Sequence, residues 1–93
     1  MYLSLFKTNP LTMFNPNMNE FIAYLIKNLV DKPESVLVQS LENPEGTLIE
    51  VRVSNEDIAK VVGRHGKTIK SLRTIVMSIG ARFGKRVQLE LLQ

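Results

Sequence analysis

Two glycines bracket two side chains that can carry positive charge, Gly63-Arg64-His65-Gly66, and this is where residue types and spacing point to chemistry. Glycine at both ends permits a corner between helices that a Cβ would resist. It also removes side-chain bulk, so an anion can come close to the main chain. A helix beginning at Gly66 directs unsatisfied N–H groups and the positive end of its dipole at that corner. Arg64, His65 and Lys67 add charge there. These parts describe an anion site with no nucleophile; the bland alternative is a helix–turn–helix corner with glycine caps. Gly66-Lys67-Thr68 imitates the end of a nucleotide-binding P-loop, G-x-x-x-x-G-K-[ST]. That pattern needs a glycine where Val61 stands and a strand leading in, so ATP or GTP binding is rejected.

Other catalytic and metal chemistries are poorly served. His65 is the one histidine, and no acidic residue lies between Ile58 and Leu89 to pair with it. Zero cysteines exclude thiolate metal sites, cysteine nucleophiles and disulfides, and suit a reducing, cytoplasmic setting. Glu56 and Asp57 sit where adjacent acids complement a helix dipole rather than act as an acid–base pair. We therefore expect no enzyme, cofactor, metal or small-molecule substrate. No stretch approaches the ~20 consecutive apolar residues of a membrane span.

The charge is uneven. Of 12 Lys and Arg, eight fall between Ile58 and Leu89: Lys60, Arg64, Lys67, Lys70, Arg73, Arg82, Lys85 and Arg86. Eight of the 9 acids precede Ile58, so a net charge of +3 conceals an acidic half and a basic half. A polyanionic partner meeting one face fits that asymmetry, and a solvated helical face is the alternative.

The elements that must position the corner follow from periodicity. Residues 1–17 read as an irregular extension: Tyr2, Leu3, Leu5 and Phe6 precede Pro10 and Pro16, and Met13 and Met18 are alternative starts. Asn17 caps a predicted helix from Met18 to Lys32 with Phe21, Ile22, Leu25, Ile26 and Leu29 as its apolar stripe. Ser35–Glu42 and Thr47–Val53 alternate as a hairpin around Asn43-Pro44-Glu45-Gly46, with Ile49, Val51 and Val53 inward. Ser54 and Asp57 form a capping-box-like start for Glu56–Val62. A helix from Gly66 to Phe83 carries the stripe Ile69, Leu72, Val76, Ile79 and Phe83, and Gly84 caps it. Gly80 weakens that helix by ~1 kcal/mol relative to alanine unless close packing explains it. Val87–Leu92 is a closing strand. The order α-β-β-α-α-β implies an α+β fold, one three-stranded sheet with three helices on one face, in a single domain over 18–93.

Ile58-Ala59-Lys60-Val61-Val62-Gly63-Arg64-His65-Gly66-Lys67-Thr68-Ile69 resembles the signature of the K-homology (KH) family, I-x-x-[VI]-[IV]-G-x-x-G-x-x-[IV]. The element order resembles its type II, bacterial topology. The resemblance implies a single-stranded RNA-binding protein of low sequence specificity, a post-transcriptional regulator or RNA chaperone. In such domains the GxxG loop clamps about four nucleotides of backbone beside an apolar groove. Carried over, N–H groups around Gly63 and Gly66 bind phosphate, assisted by Arg64, His65, Lys67 and Lys70. Ile58, Val61 or Val62, Ile69 and Val53 form the groove, and the strand near Val51–Val53 reads base edges. The resemblance also implies a homodimer, or a heterodimer with a larger KH-containing protein. A KH-like adaptor that binds protein instead of nucleic acid is the alternative.

Overall fold

Proline suits the first turn of a helix, where its missing N–H has no partner to lose. Helix α1 opens that way and runs Pro10–Lys27. The computed structural model of the chain describes residues 10–93, and only the backbone of 10–17. The start differs from the one expected: Asn17 is inside the helix, and the irregular extension loses residues 10–17. Its apolar run, 1–9, lies outside the described residues. A single interior proline forfeits one hydrogen bond and can kink a helix without ending it. Met18, Ile22 and Ile26 recur every four residues and are buried. Phe21 and Leu29, expected in the same stripe, are 41% and 38% exposed. At ~100° per residue Phe21 lies off the line of Ile22 and Ile26, and Leu29 lies beyond the helix end at Lys27.

The helix ends at Lys27, short of Lys32. The Asn28 side chain donates to the Tyr24 carbonyl at 2.7 Å, and the N–H groups of Asp31 and Lys32 turn away to a carboxylate elsewhere in the fold. Pro33–Ser35 forms a 3-10 turn leading to strand β1, Leu37–Asn43. Strand β2, Gly46–Arg52, returns antiparallel, with Asn43 opposite Gly46 and only Pro44-Glu45 between. The Glu45 N–H closes that turn on Asn43 Oδ1 at 2.9 Å. Ile49 and Val51 fill the inner face, and Val53 continues it into the core.

A 3-10 turn, Asn55–Asp57, precedes the short helix α2, Ile58–Val62. The Ser54 side chain makes no cap bond, so no capping box forms. After the Arg64–Gly66 turn comes α3, Lys67–Arg82, which buries Ile69, Leu72, Val76 and Gly80. Gly80 is a packing residue: a Cβ there would lie 2.6 Å from Val87 Cγ2 and 3.0 Å from the Lys85 carbonyl. Gly84 ends the helix at φ +70°, with its own N–H bonded to Ala81 O and that of Lys85 to Gly80 O. That pair of bonds is the Schellman termination.

Strand β3, Val87–Leu91, lies parallel to β2 from Thr47↔Val87 to Val51↔Leu91, giving the order β1-β2-β3. Val87 and Leu89 are buried. The result is an α+β, type II KH arrangement: three helices against one face of a mixed sheet, with the core between them. Among the described residues no helix is long and apolar enough to cross a membrane.

Candidate nucleic-acid interface

Gly63 takes φ 79° and ψ 172°, a backbone region essentially reserved for glycine. A Cβ there would overlap the Thr68 side chain, so the corner is closed from beneath. His65 follows at φ 56°, ψ 25°, an uncommon left-handed position for a residue with a side chain, and Gly66 at φ 73°, ψ 15°. Above Gly66 there is open space: a Cβ would meet nothing within 4 Å. The glycine N–H groups themselves serve the loop, Gly63 bonding Ala59 O at 2.9 Å and Gly66 bonding Gly63 O at 3.1 Å. Lys67 N–H bonds Arg64 O. The N–H groups of Arg64 and His65, at the crown, lie outside these bonds. Behind them stands the positive end of the 16-residue α3. Arg64, His65, Lys67 and Lys70 are all exposed around this crown.

The residues expected to floor a groove divide into two groups. Ile58 and Val62 are half-buried and pack on the core while keeping an outer surface. Val61 is 0% exposed, and Val53 and Ile69 are also core residues. Of the two adjacent valines only Val62 can meet a ligand, because successive residues of a helix point ~100° apart. The strand assignment also changes. Val51–Val53 belongs to the middle of the sheet, where Val51 pairs with Val38 on one side and Leu91 on the other. The open edge near the loop belongs to β3. Leu92 N–H bonds Val51 O, so alternation turns the main-chain groups of Val87, Leu89 and Leu91 outward. Arg73 Nε of α3 already donates to the Leu89 carbonyl at 3.3 Å on that edge.

A family profile described as "KhpA/KhpB, KH domain" matches residues 19–91. The chain belongs to that KH-domain family. It is 42% identical over 76 residues to the RNA-binding protein KhpA of Chlamydia pneumoniae, an alignment covering 82% of this chain and 97% of the relative. The namesake from Streptomyces coelicolor is 44% identical over 72 residues, covering 77% and 90%. That of Borreliella burgdorferi is 38% identical over 76 residues, covering 82% and 93%.

Within this KH domain the basic stretch is not uniform in three dimensions. Lys60 Nζ lies 3.1 Å from Asp31 Oδ2 and 3.7 Å from Asp57 Oδ1, and Lys32 Nζ lies 2.8 Å from Glu56 Oε1. Hydrogen bonding to Asp31 raises the Lys60 pKa, and hydrogen bonding to Glu56 raises that of Lys32. Lys60 therefore belongs to the scaffold. Among the described residues, Arg64, Lys67 and Lys70 have no acidic partner and keep their charge for a ligand. The outer face of the sheet is the reverse, with Glu50 opposite Glu90 in register.

Sequence reasoning missed Asp57 as a structural centre. It is fully buried, and its carboxylate accepts the N–H of Asp31 at Oδ1 and of Lys32 at Oδ2, both at 3.0 Å. The Asp31 bond, opposed by burial and helped by Lys32 N–H and Lys60, holds its pKa below the ordinary carboxylate value. The residue ties the end of α1 to the turn that launches α2, and so fixes the approach to the KH loop. No local signal marks a partner so far upstream.

Proposed function

We propose that this chain binds single-stranded RNA through the 63–66 loop, as a cytoplasmic post-transcriptional regulator or RNA chaperone of low sequence specificity. The observation that carries the reading is the crown of the loop. Two N–H groups and the open space above Gly66 stand at the head of α3, ringed by cations that have no acidic partner among the described residues. A phosphate can approach the main chain there, while Ile58 and Val62 offer an aliphatic surface to bases and the β3 edge offers hydrogen bonds. The names of the relatives, RNA-binding protein KhpA, support the same ligand. Exposed Phe21 and Tyr24 on α1 provide surface for pairing with a second copy or a larger KH-containing chain.

The test is a salt titration of binding to single-stranded RNA. Four neutralised phosphates on a single strand give a slope of about −3 in log K against log salt. The double change Arg64→Asp, His65→Asp keeps both glycines and should weaken binding by at least about tenfold while flattening that slope. Binding as tight as the parent's would overturn the clamp.

A further inference from the structure

Beyond the loop, the space between α3 and the open edge of β3 continues toward the opposite end of the molecule. Two clefts lie along it. The first, of about 460 Å³, is bounded by Arg73, Met77 and Leu89. The second, of about 300 Å³, is bounded by Met77, Ala81 and Arg86. Met77 and Gln88 line both, so the clefts adjoin. A helix the length of α3 spans ~24 Å, and the second cleft lies at its far end, away from the loop.

Charge marks both ends of this path. At the near end Arg73 is held by its Nε to the Leu89 carbonyl, which keeps its charge at the strand edge. At the far end stands Arg86, which lines the second cleft and among the described residues has no acidic partner. Midway, Met77 is 59% exposed, an unbranched apolar side chain that adapts to whatever lies on it. Glu90 is the one acid lining the two clefts. It sits opposite Glu50 in register, so a polyanion is turned from the outer sheet face toward α3.

We propose that the groove between α3 and β3 carries the same RNA strand past the loop to a second phosphate contact at Arg86. The inference rests on the RNA-binding reading above and extends its footprint beyond the roughly four nucleotides that a KH loop clamps. Arg73 holds the backbone where it leaves the loop, a base lies over Met77, and Arg86 neutralises the next phosphate.

Binding of uridine oligomers from about four to about twelve nucleotides tests this. The intact chain is compared with Arg86→Glu, with Arg86→Lys, and with the acidic loop variant. In the parent the longest oligomers should bind about tenfold more tightly than the shortest. Their salt slope should be steeper by about 0.7 for one added phosphate. Arg86→Glu should abolish that gain and leave the shortest oligomer unaffected, Arg86→Lys should retain it, and the acidic loop should weaken every length. An equal gain with length in Arg86→Glu would be statistical and would overturn the extended track. So would short-oligomer binding with no gain in the parent, the result if the groove serves a protein partner instead. Failure of the parent to bind any length would overturn the RNA reading itself.

Discussion

The two glycines of the loop answer different demands. Gly63 is required by the fold, since its backbone angles and the Thr68 side chain leave no room for a Cβ. Gly66 is required only by its left-handed φ and has free space where a side chain would go. Gly66→Ala should therefore cost about 1–2 kcal/mol in stability and lose RNA affinity by more than that strain explains, because its methyl occupies the space left for phosphate. Gly63→Ala should unfold at a lower temperature than Gly66→Ala; calorimetry and a binding titration on both separate the effects. An inverted order would place the steric limit elsewhere. Both glycines were legible in the sequence because positive φ demands their type. The left-handed His65 was not, since a histidine carries no such signature, and the glycine N–H groups proved to be internal to the loop. Val61, Val53 and Ile69 show the limit for apolar residues: their type fits a groove and a core equally well, and only packing decides.

Elements bounded by local chemistry were readable, and those bounded by distant contacts were not. The hairpin follows from Pro44-Glu45 between alternating strands, and the end of α3 from Gly84. The end of α1 depends on Asp57, far along the chain, and its position could not be read nearby. That carboxylate also sets an acid limit on the fold. Its pKa is lower in the native chain than in the unfolded one, so its stabilisation is present above the ordinary aspartate value of about 3.9 and is lost as pH falls through the native value. Asp57→Asn can still accept one of the two N–H groups but presents an amide to the other. It should lower the unfolding temperature by several degrees at neutral pH and flatten the dependence of stability on pH below about pH 4. Thermal unfolding across pH measures this, and a variant with the parent's acid profile would remove Asp57 from the account. Because the same bonds seat α2, the variant should also bind RNA less tightly at neutral pH.

Across the whole molecule, the division into an acidic and a basic half was visible in the composition, but its sorting onto faces was not. Lys60 is drawn into the scaffold, and Glu90, inside the basic half of the sequence, ends on the acidic outer sheet. The parallel pairing of β2 with β3 has a kinetic consequence. β1 and β2 meet through a two-residue turn, whereas Val51 waits for Leu91 and everything between, including α2, the loop and α3. Contacts that close long loops form late. The hairpin and helices should assemble first, with the last strand docking after the rate-limiting step. Val87→Ala should then accelerate unfolding and leave the folding rate nearly unchanged in a stopped-flow chevron; a slowed folding arm would put β3 in the nucleus. In a chain growing from its N-terminus, the 63–66 loop would thus be made before strand β3, and the sheet edge beside it would exist only once β3 had docked.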